Sequence, residues 1–117
     1  MRKTDKKLEK AIVAGLTDAC EDALKLYDGF QWLTHIVNFQ TFPESLLIVC
    51  VFDTQENLIK TIESDNASHF KTSIEKRLLS NNIRVKDIKK RILFDTEQAC
   101  ENEHNGNWSK RLERLKK

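Results

Sequence analysis

The chain has 117 residues and a formal net charge of +2, from 20 lysines and arginines against 18 aspartates and glutamates. This length is typical of one domain, the longest apolar run, residues 46–52, is too short to cross a membrane, and residues 1–7 lead into no signal-peptide core. With three glycines and one proline, collagen-like and linker-like chains are excluded, and we expect a compact cytoplasmic protein without a membrane partner.

Hydrophobic periodicity and turn signals predict the element order α-β-β-α-α-β-α. The elements are a helix over 4–27, strands over 30–39 and 46–52, helices over 53–63 and 67–80, a strand over 91–94 and a helix over 97–103. The second strand is apolar on both faces, as central strands are, and a helical crossover makes the third strand its parallel neighbour. We expect an α+β fold with one three-stranded mixed sheet and helices packed mainly on one face.

The single domain is predicted to span residues 1–107, and residues 108–117 a basic C-terminal helix or tail. Within the first predicted strand, strict alternation places Phe30 and Trp32 on the same face. This aromatic pair either packs as core beneath the first helix or forms a platform on which bases stack.

Charge is segregated along the chain although the total is near zero. Residues 1–10 carry +3, residues 84–91 carry +4 and residues 110–117 carry +4, while the two intervening segments carry −5 and −4. Basic segments of this kind either bind phosphate backbones through counterion release or serve as solubilising tails and a solvated loop. The candidate nucleic-acid-binding residues are Arg84, Lys86, Lys89, Lys90, Arg91, Lys110, Arg111, Arg114, Lys116 and Lys117.

The triplet Phe-Asp-Thr occurs twice, at 52–54 and at 94–96, each time after an apolar strand. If the two strands are parallel neighbours, Asp53 and Asp95 lie at the sheet edge where open α/β sheets bind ligands. Together with Glu97 they would then hold Mg²⁺ for phosphodiester chemistry. The alternative is that the Asp-Thr pairs cap the helices that follow.

A polar cluster is the other candidate for chemistry. Its members are Asp53, Asp95, Glu97, Glu103, His104 and Asn107. A carboxylate beside a histidine suits general acid–base catalysis, but a polar turn after an acidic helix explains residues 103–107 without any chemistry.

Cysteine and histidine spacing predicts no metal site and no cofactor. The three cysteines are odd in number and far apart, so we expect reduced thiols rather than disulfides or a metal knuckle. The chain contains neither a glycine-rich phosphate loop nor a nucleophile elbow. An enzyme is therefore the less favoured class.

Three stretches resemble a family of short, uncharacterised proteobacterial proteins, some of which are labelled Fis-family transcriptional regulators. They are Asp-Gly-Phe-Gln-Trp-Leu-Thr-His at 28–35, Val-Phe-Asp-Thr at 51–54 and Glu-His-Asn-Gly-Asn-Trp at 103–108. The similarity covers most of the chain. The segment 108–117 is similar to a basic recognition helix, which implies a transcriptional regulator.

The element order over residues 4–96 is also similar to the type II KH fold. Residues 46–95 resemble the ribosome-binding factor A family in their pattern of strand, helix, small-residue break, basic helix, basic connection and strand ending in Phe-Asp. Members of that family replace the Gly-x-x-Gly clamp by a kink around a small residue, a place that residues 64–68 occupy here. This resemblance implies a role in binding RNA or a ribonucleoprotein.

These features predict a non-enzymatic binding or regulatory module whose partner is RNA, DNA or a ribonucleoprotein. The contacts would neutralise the backbone rather than read bases. One alternative is a protein-interaction or homo-oligomerising module that uses the acidic middle surface. The other is a divalent-metal phosphodiesterase centred on Asp53 and Asp95.

Overall fold

The computed structural model of the chain describes residues 2–116, which form a three-stranded sheet and the helices around it. The helices are α1 (Lys3–Leu26), α2 (Gln55–Glu63), α3 (Asn66–Ser80), α4 (Glu97–His104) and α5 (Trp108–Glu113), and the strands are β1 (Phe30–Ile36), β2 (Leu47–Phe52) and β3 (Ile92–Thr96). In the sheet, β2 is central, antiparallel to β1 and parallel to β3. The predicted α+β class and the mixed three-stranded sheet are confirmed.

The main core lies between one face of the sheet and the first three helices. Apolar side chains recur every three or four residues along these helices, which turns one stripe of each toward the sheet. The stripe of α1 includes Ile12, Leu16, Ala19 and Ala23, and that of α3 includes Phe70, Ile74 and Leu78. Leu58 of α2 joins the same cluster, so these three helices share one face of the sheet, as predicted.

Phe70 stands at the centre of this core. It is fully buried, and its ring centroid lies 5.0 Å from that of Tyr27 and 5.1 Å from that of Phe30. The rings of Phe94 and Phe52 follow at 6.0 and 6.4 Å. These edge-to-face and stacked contacts connect α3 to all three strands and to the end of α1.

A β-bulge at the start of β1 corrects the predicted faces of that strand. Phe30 pairs with Phe52, whereas Trp32 pairs with Val51, so Gln31 is an extra residue without a partner on β2. The extra residue shifts the alternation by one position. Phe30 therefore enters the core, as the core-packing alternative predicted, while Trp32 points to the opposite face.

Helix α5 covers part of that opposite face. The indole ring of Trp108 meets that of Trp32 edge to face, with 4.8 Å between the ring centroids. Val49 and Val51, on the same face of the sheet as Trp32, are at most 1% exposed. Trp32 therefore does not share a face with Phe30, so it does not pack beneath the first helix and the two rings do not form one platform.

Two further observations concern the cysteines and the lengths of the helices. Cys20, Cys50 and Cys100 are free thiols, and the last two are buried. Along the described residues 2–116, none of the helices combines the length and the apolar character needed to cross a bilayer.

Candidate functional site

The carboxyl ends of β2 and β3 meet at one edge of the sheet, where the two Phe-Asp-Thr triplets build the same local structure. In each triplet the threonine is the N-cap: the Oγ1 atoms of Thr54 and Thr96 accept from the backbone N–H three residues later, at 3.2 and 3.0 Å. In each, the aspartate accepts from the N–H of its own threonine, at 2.6 Å for Asp53 and 2.8 Å for Asp95. The capping alternative is confirmed, with threonine rather than aspartate as the cap.

Two glutamines connect the starts of α2 and α4. Gln98 Oε1 accepts from the backbone N–H of Gln55 at 2.8 Å, and the Gln98 N–H donates to the carbonyl oxygen of Asp53 at 3.1 Å. Thr96 Oγ1 donates to Gln55 Oε1 at 3.4 Å. These bonds occupy backbone groups at two helix N-termini that would otherwise be open to an anion.

Asp53 is held within its own helix start. Asn57 Nδ2 donates to Asp53 Oδ1 at 2.9 Å. This hydrogen bond lowers the pKa of the Asp53 carboxyl below its ordinary value, against the smaller opposing effect of burial. The carboxylate is therefore stabilised in its charged form by neutral partners.

Asp95 is held instead by Arg111 of α5. The guanidinium Nε donates to Asp95 Oδ2 at 2.6 Å and Nη2 donates to Oδ1 at 2.9 Å, a bidentate ion pair. Its Nη1 lies 3.1 Å from His104 Nδ1 and 3.4 Å from the Glu103 carboxylate. The hydrogen bonds to Asp95 raise the pKa of Arg111 above its already high ordinary value.

This pair corrects two of the sequence predictions. Arg111 is only 5% exposed, so it is not available to a nucleic-acid phosphate, and both oxygens of Asp95 already accept hydrogen bonds from it. Across residues 2–116, no group of three or more His, Cys, Asp or Glu side chains is arranged to hold a metal ion. The geometry gives no support to a Mg²⁺ site shared by Asp53 and Asp95.

The predicted polar cluster does not form one site. Asp95, Glu103 and His104 do come together, around Arg111. Glu97 accepts a hydrogen bond from Trp108 Nε1, and Asn107 caps α5 by accepting from the backbone N–H of Lys110 at 3.1 Å. Asp53 belongs to the start of α2, as described above. Each of these side chains thus has a structural partner.

Four cations of residues 84–91 line two hollows on the surface. The first, of about 240 Å³, lies beside the end of α3 and includes Arg84 and Lys86 in its lining. The second, of about 510 Å³, includes Lys86, Lys90 and Arg91. Because Lys86 lines both hollows, the four cations form one continuous run.

A larger groove of about 910 Å³ extends this run toward the C-terminus. Arg91 lines both the second hollow and the groove, and Lys116 also lines the groove. Two basic segments therefore meet at one concave surface. We call the set Arg84, Lys86, Lys90, Arg91 and Lys116 the basic strip.

The other predicted cations lie outside the basic strip. Lys89 is exposed on the 3₁₀ turn Ile88–Arg91, and Lys110 and Arg114 are exposed on and just after α5. Lys117 lies outside the described residues. Carboxylates also border the strip: Glu75 in the first hollow, Glu44 and Asp87 in the second, and Glu9 in the groove.

Sequence reasoning missed the role of Arg111 although a signal was present. Arg111 stands three residues after Trp108 and next to Leu112, on the side of the helix that the apolar residues mark as buried.

Comparison of the chain with protein-family models, with curated proteins and with solved structures finds no match. The family resemblances of the sequence therefore stay predictions.

Proposed function

We propose that the protein is a non-enzymatic module that binds the phosphate backbone of RNA or DNA, free or within a ribonucleoprotein, along the basic strip. The observation that supports this proposal is the meeting of Arg91 and Lys116 at one groove. They come from basic segments separated by an acidic stretch of sequence, and convergence on one surface distinguishes a binding footprint from unrelated solvated charges.

Binding would proceed by counterion release and would depend strongly on salt. Each neutralised phosphate lowers the slope of log K against log salt by about 0.7 to 0.9. If about three to five cations of the strip each contact a phosphate, affinity falls by roughly 20-fold to 500-fold between about 50 mM and about 200 mM salt. The bordering carboxylates, such as Glu44 and Asp87, lower this affinity because they repel phosphate.

The test is fluorescence anisotropy with labelled RNA and DNA oligonucleotides over this range of salt. The strip variant carries Lys86→Gln, Lys90→Gln and Arg91→Gln. The control variant loses the same charge at exposed positions outside the strip: it carries Lys25→Gln, Lys60→Gln and Lys76→Gln.

We expect the strip variant to lose most of the affinity and the salt dependence, and the control variant to keep both. Circular dichroism verifies that each variant is folded. Equal losses in the two variants would mean that total charge, not the strip, drives binding. Absence of binding by the wild type at low salt would refute the proposal.

A further inference from the structure

The groove at the end of the basic strip has two chemically different parts. Arg91 and Lys116 contribute cations, whereas Val37, Phe39 and Leu47 contribute half-buried apolar side chains. The groove is open to solvent, and its volume of about 910 Å³ leaves room for a small organic group along it. Val37 and Phe39 also pack against the core, so the apolar part of the groove is the outer side of core residues.

One wall of the groove is a loop that two hydrogen bonds close. The backbone N–H of Asn38 donates to Ser45 Oγ at 3.0 Å, and Ser45 Oγ donates back to the carbonyl oxygen of Asn38 at 2.7 Å. These two bonds close the connection between β1 and β2 and hold Phe39 beside the groove. A preformed wall lowers the entropy cost of binding a ligand.

The charges around the groove are unevenly distributed. Glu9 of α1 also lines it, and its carboxylate lies 2.9 Å from His35 Nε2. A ligand phosphate is repelled from the Glu9 side and attracted to Arg91 and Lys116. The groove therefore suits a ligand with a phosphate at one end and a flat apolar body next to it.

We propose that the groove holds an unpaired nucleotide of a single-stranded segment, with its phosphate at Arg91 and Lys116 and its base against Phe39. This inference rests on the proposed function and narrows it to single strands. In a duplex the bases are stacked and paired, so their faces cannot reach an aromatic side chain, whereas an unpaired base stacks on one readily. None of residues 64–68, the break compared above with ribosome-binding factor A, lines the groove.

The test compares a labelled single strand of about 12 nucleotides, within the usual range of single-strand sites, with its own duplex at equal salt. Phe39→Leu keeps the apolar bulk and removes the aromatic ring. The matched control is Phe42→Leu, because Phe42 lies in the same loop, 6.2 Å from Phe39 between ring centroids, and is not part of the groove lining.

We expect Phe39→Leu to lower the affinity for the single strand about tenfold, as the loss of one base-stacking contact does, and to leave duplex binding unchanged. Phe42→Leu should change neither. Glu9→Gln should strengthen single-strand binding, because it removes the carboxylate that repels phosphate.

The outcomes separate this inference from the proposed function. Equal binding of single strand and duplex, with no effect of Phe39→Leu, would overturn the inference and leave backbone binding standing. Binding of neither would overturn both. AMP tests a free nucleotide as the ligand. If AMP displaces the oligonucleotide when the two supply equal concentrations of phosphate groups, the groove binds a free nucleotide, and the single-strand proposal is overturned.

Discussion

The two Phe-Asp-Thr triplets share their residues and their helix cap, yet different parts of the protein hold their aspartates. Asp53 bonds to Asn57 of the helix that it precedes, and its backbone N–H donates to the carbonyl oxygen of Gly29 at 2.8 Å. Asp95 bonds to Arg111, a buried cation 16 residues later on another helix. The same local motif is therefore supported by short-range hydrogen bonds in one place and by a tertiary ion pair in the other.

This difference has a consequence for the surface as well. Arg111 and Arg91 both come from strongly basic segments, but only Arg91 remains on the surface of the groove. The ion pair with Asp95 attaches α5 to the sheet, and Lys116 lies three residues after the end of α5. A buried pair thus positions one end of the proposed binding surface.

The largest expected effect separates the two aspartates. Asp95→Ala leaves the Arg111 guanidinium buried without its main partner, and breaking a buried pair costs about 3–5 kcal/mol. Asp53→Ala removes hydrogen bonds at a partly exposed carboxylate, which costs about 1 kcal/mol. Urea titration of both variants gives the two free energies of unfolding.

A double variant sharpens this prediction. Asp95→Ala combined with Arg111→Met removes both charges, so part of the stability lost in Asp95→Ala should return. Equal losses for Asp53→Ala and Asp95→Ala would contradict the distinction between the two triplets.

A second prediction concerns the turn that supports only the first triplet. Gly29 has φ +84°, and a Cβ placed there would lie 2.5 Å from Asp53 Oδ1 and 2.7 Å from Asn57 Cβ. Gly106 has a similar φ of +78°, but the nearest atom to its Cβ is the carboxylate oxygen of Glu101, an exposed side chain, at 2.8 Å.

Both substitutions to alanine should cost about 1–2 kcal/mol for the left-handed backbone. Gly29→Ala should cost roughly 1–3 kcal/mol more than Gly106→Ala, because it forces apart two packed side chains. Thermal unfolding of the two variants measures the difference. Equal melting temperatures would show that the turn does not constrain Asp53.

The smallest effect is a dependence on pH that comes from the carboxyl of Asp53. The hydrogen bond from Asn57 lowers the pKa of Asp53 in the folded protein relative to an unfolded value of about 3.9. A lowered folded pKa gives stability that is fully present above the unfolded value and is lost as pH falls through the folded pKa.

Between about pH 5 and about pH 2 the wild type should therefore lose more stability than Asp53→Asn, which has no carboxyl to protonate. Asn57→Ala is the control, because it removes the main cause of the lowered pKa. Parallel curves of unfolding free energy for the wild type and Asp53→Asn would contradict this account.

The element order and the central strand were predictable because they depend on local periodicity. The apolar run at 46–52 indicates a strand covered on both sides, and the helical crossover to residues 91–94 implies a parallel neighbour. The strand follows from a pattern of neighbouring residues, the parallel pairing follows from the helical crossover between the strands, and both are observed.

The burial of Arg111 and the meeting of Arg91 with Lys116 were not predictable in the same way. Helical spacing from Trp108 places Arg111 toward the apolar side of α5, but its burial depends on the carboxylate of Asp95, which only the fold brings from β3. The caps were only half predictable, because Asp and Thr are both good N-caps and adjacent positions compete for the role.

The bulge in β1 has a consequence for how the length of this chain can vary. Gln31 is exposed and has no partner on β2, so its removal leaves a regular strand in which Phe30 still faces the core and Trp32 still faces Trp108. Removal of any residue from Leu33 to Ile36 would instead turn the rest of the strand over. Related chains that differ in length by one residue within this strand should therefore align with their gap at Gln31.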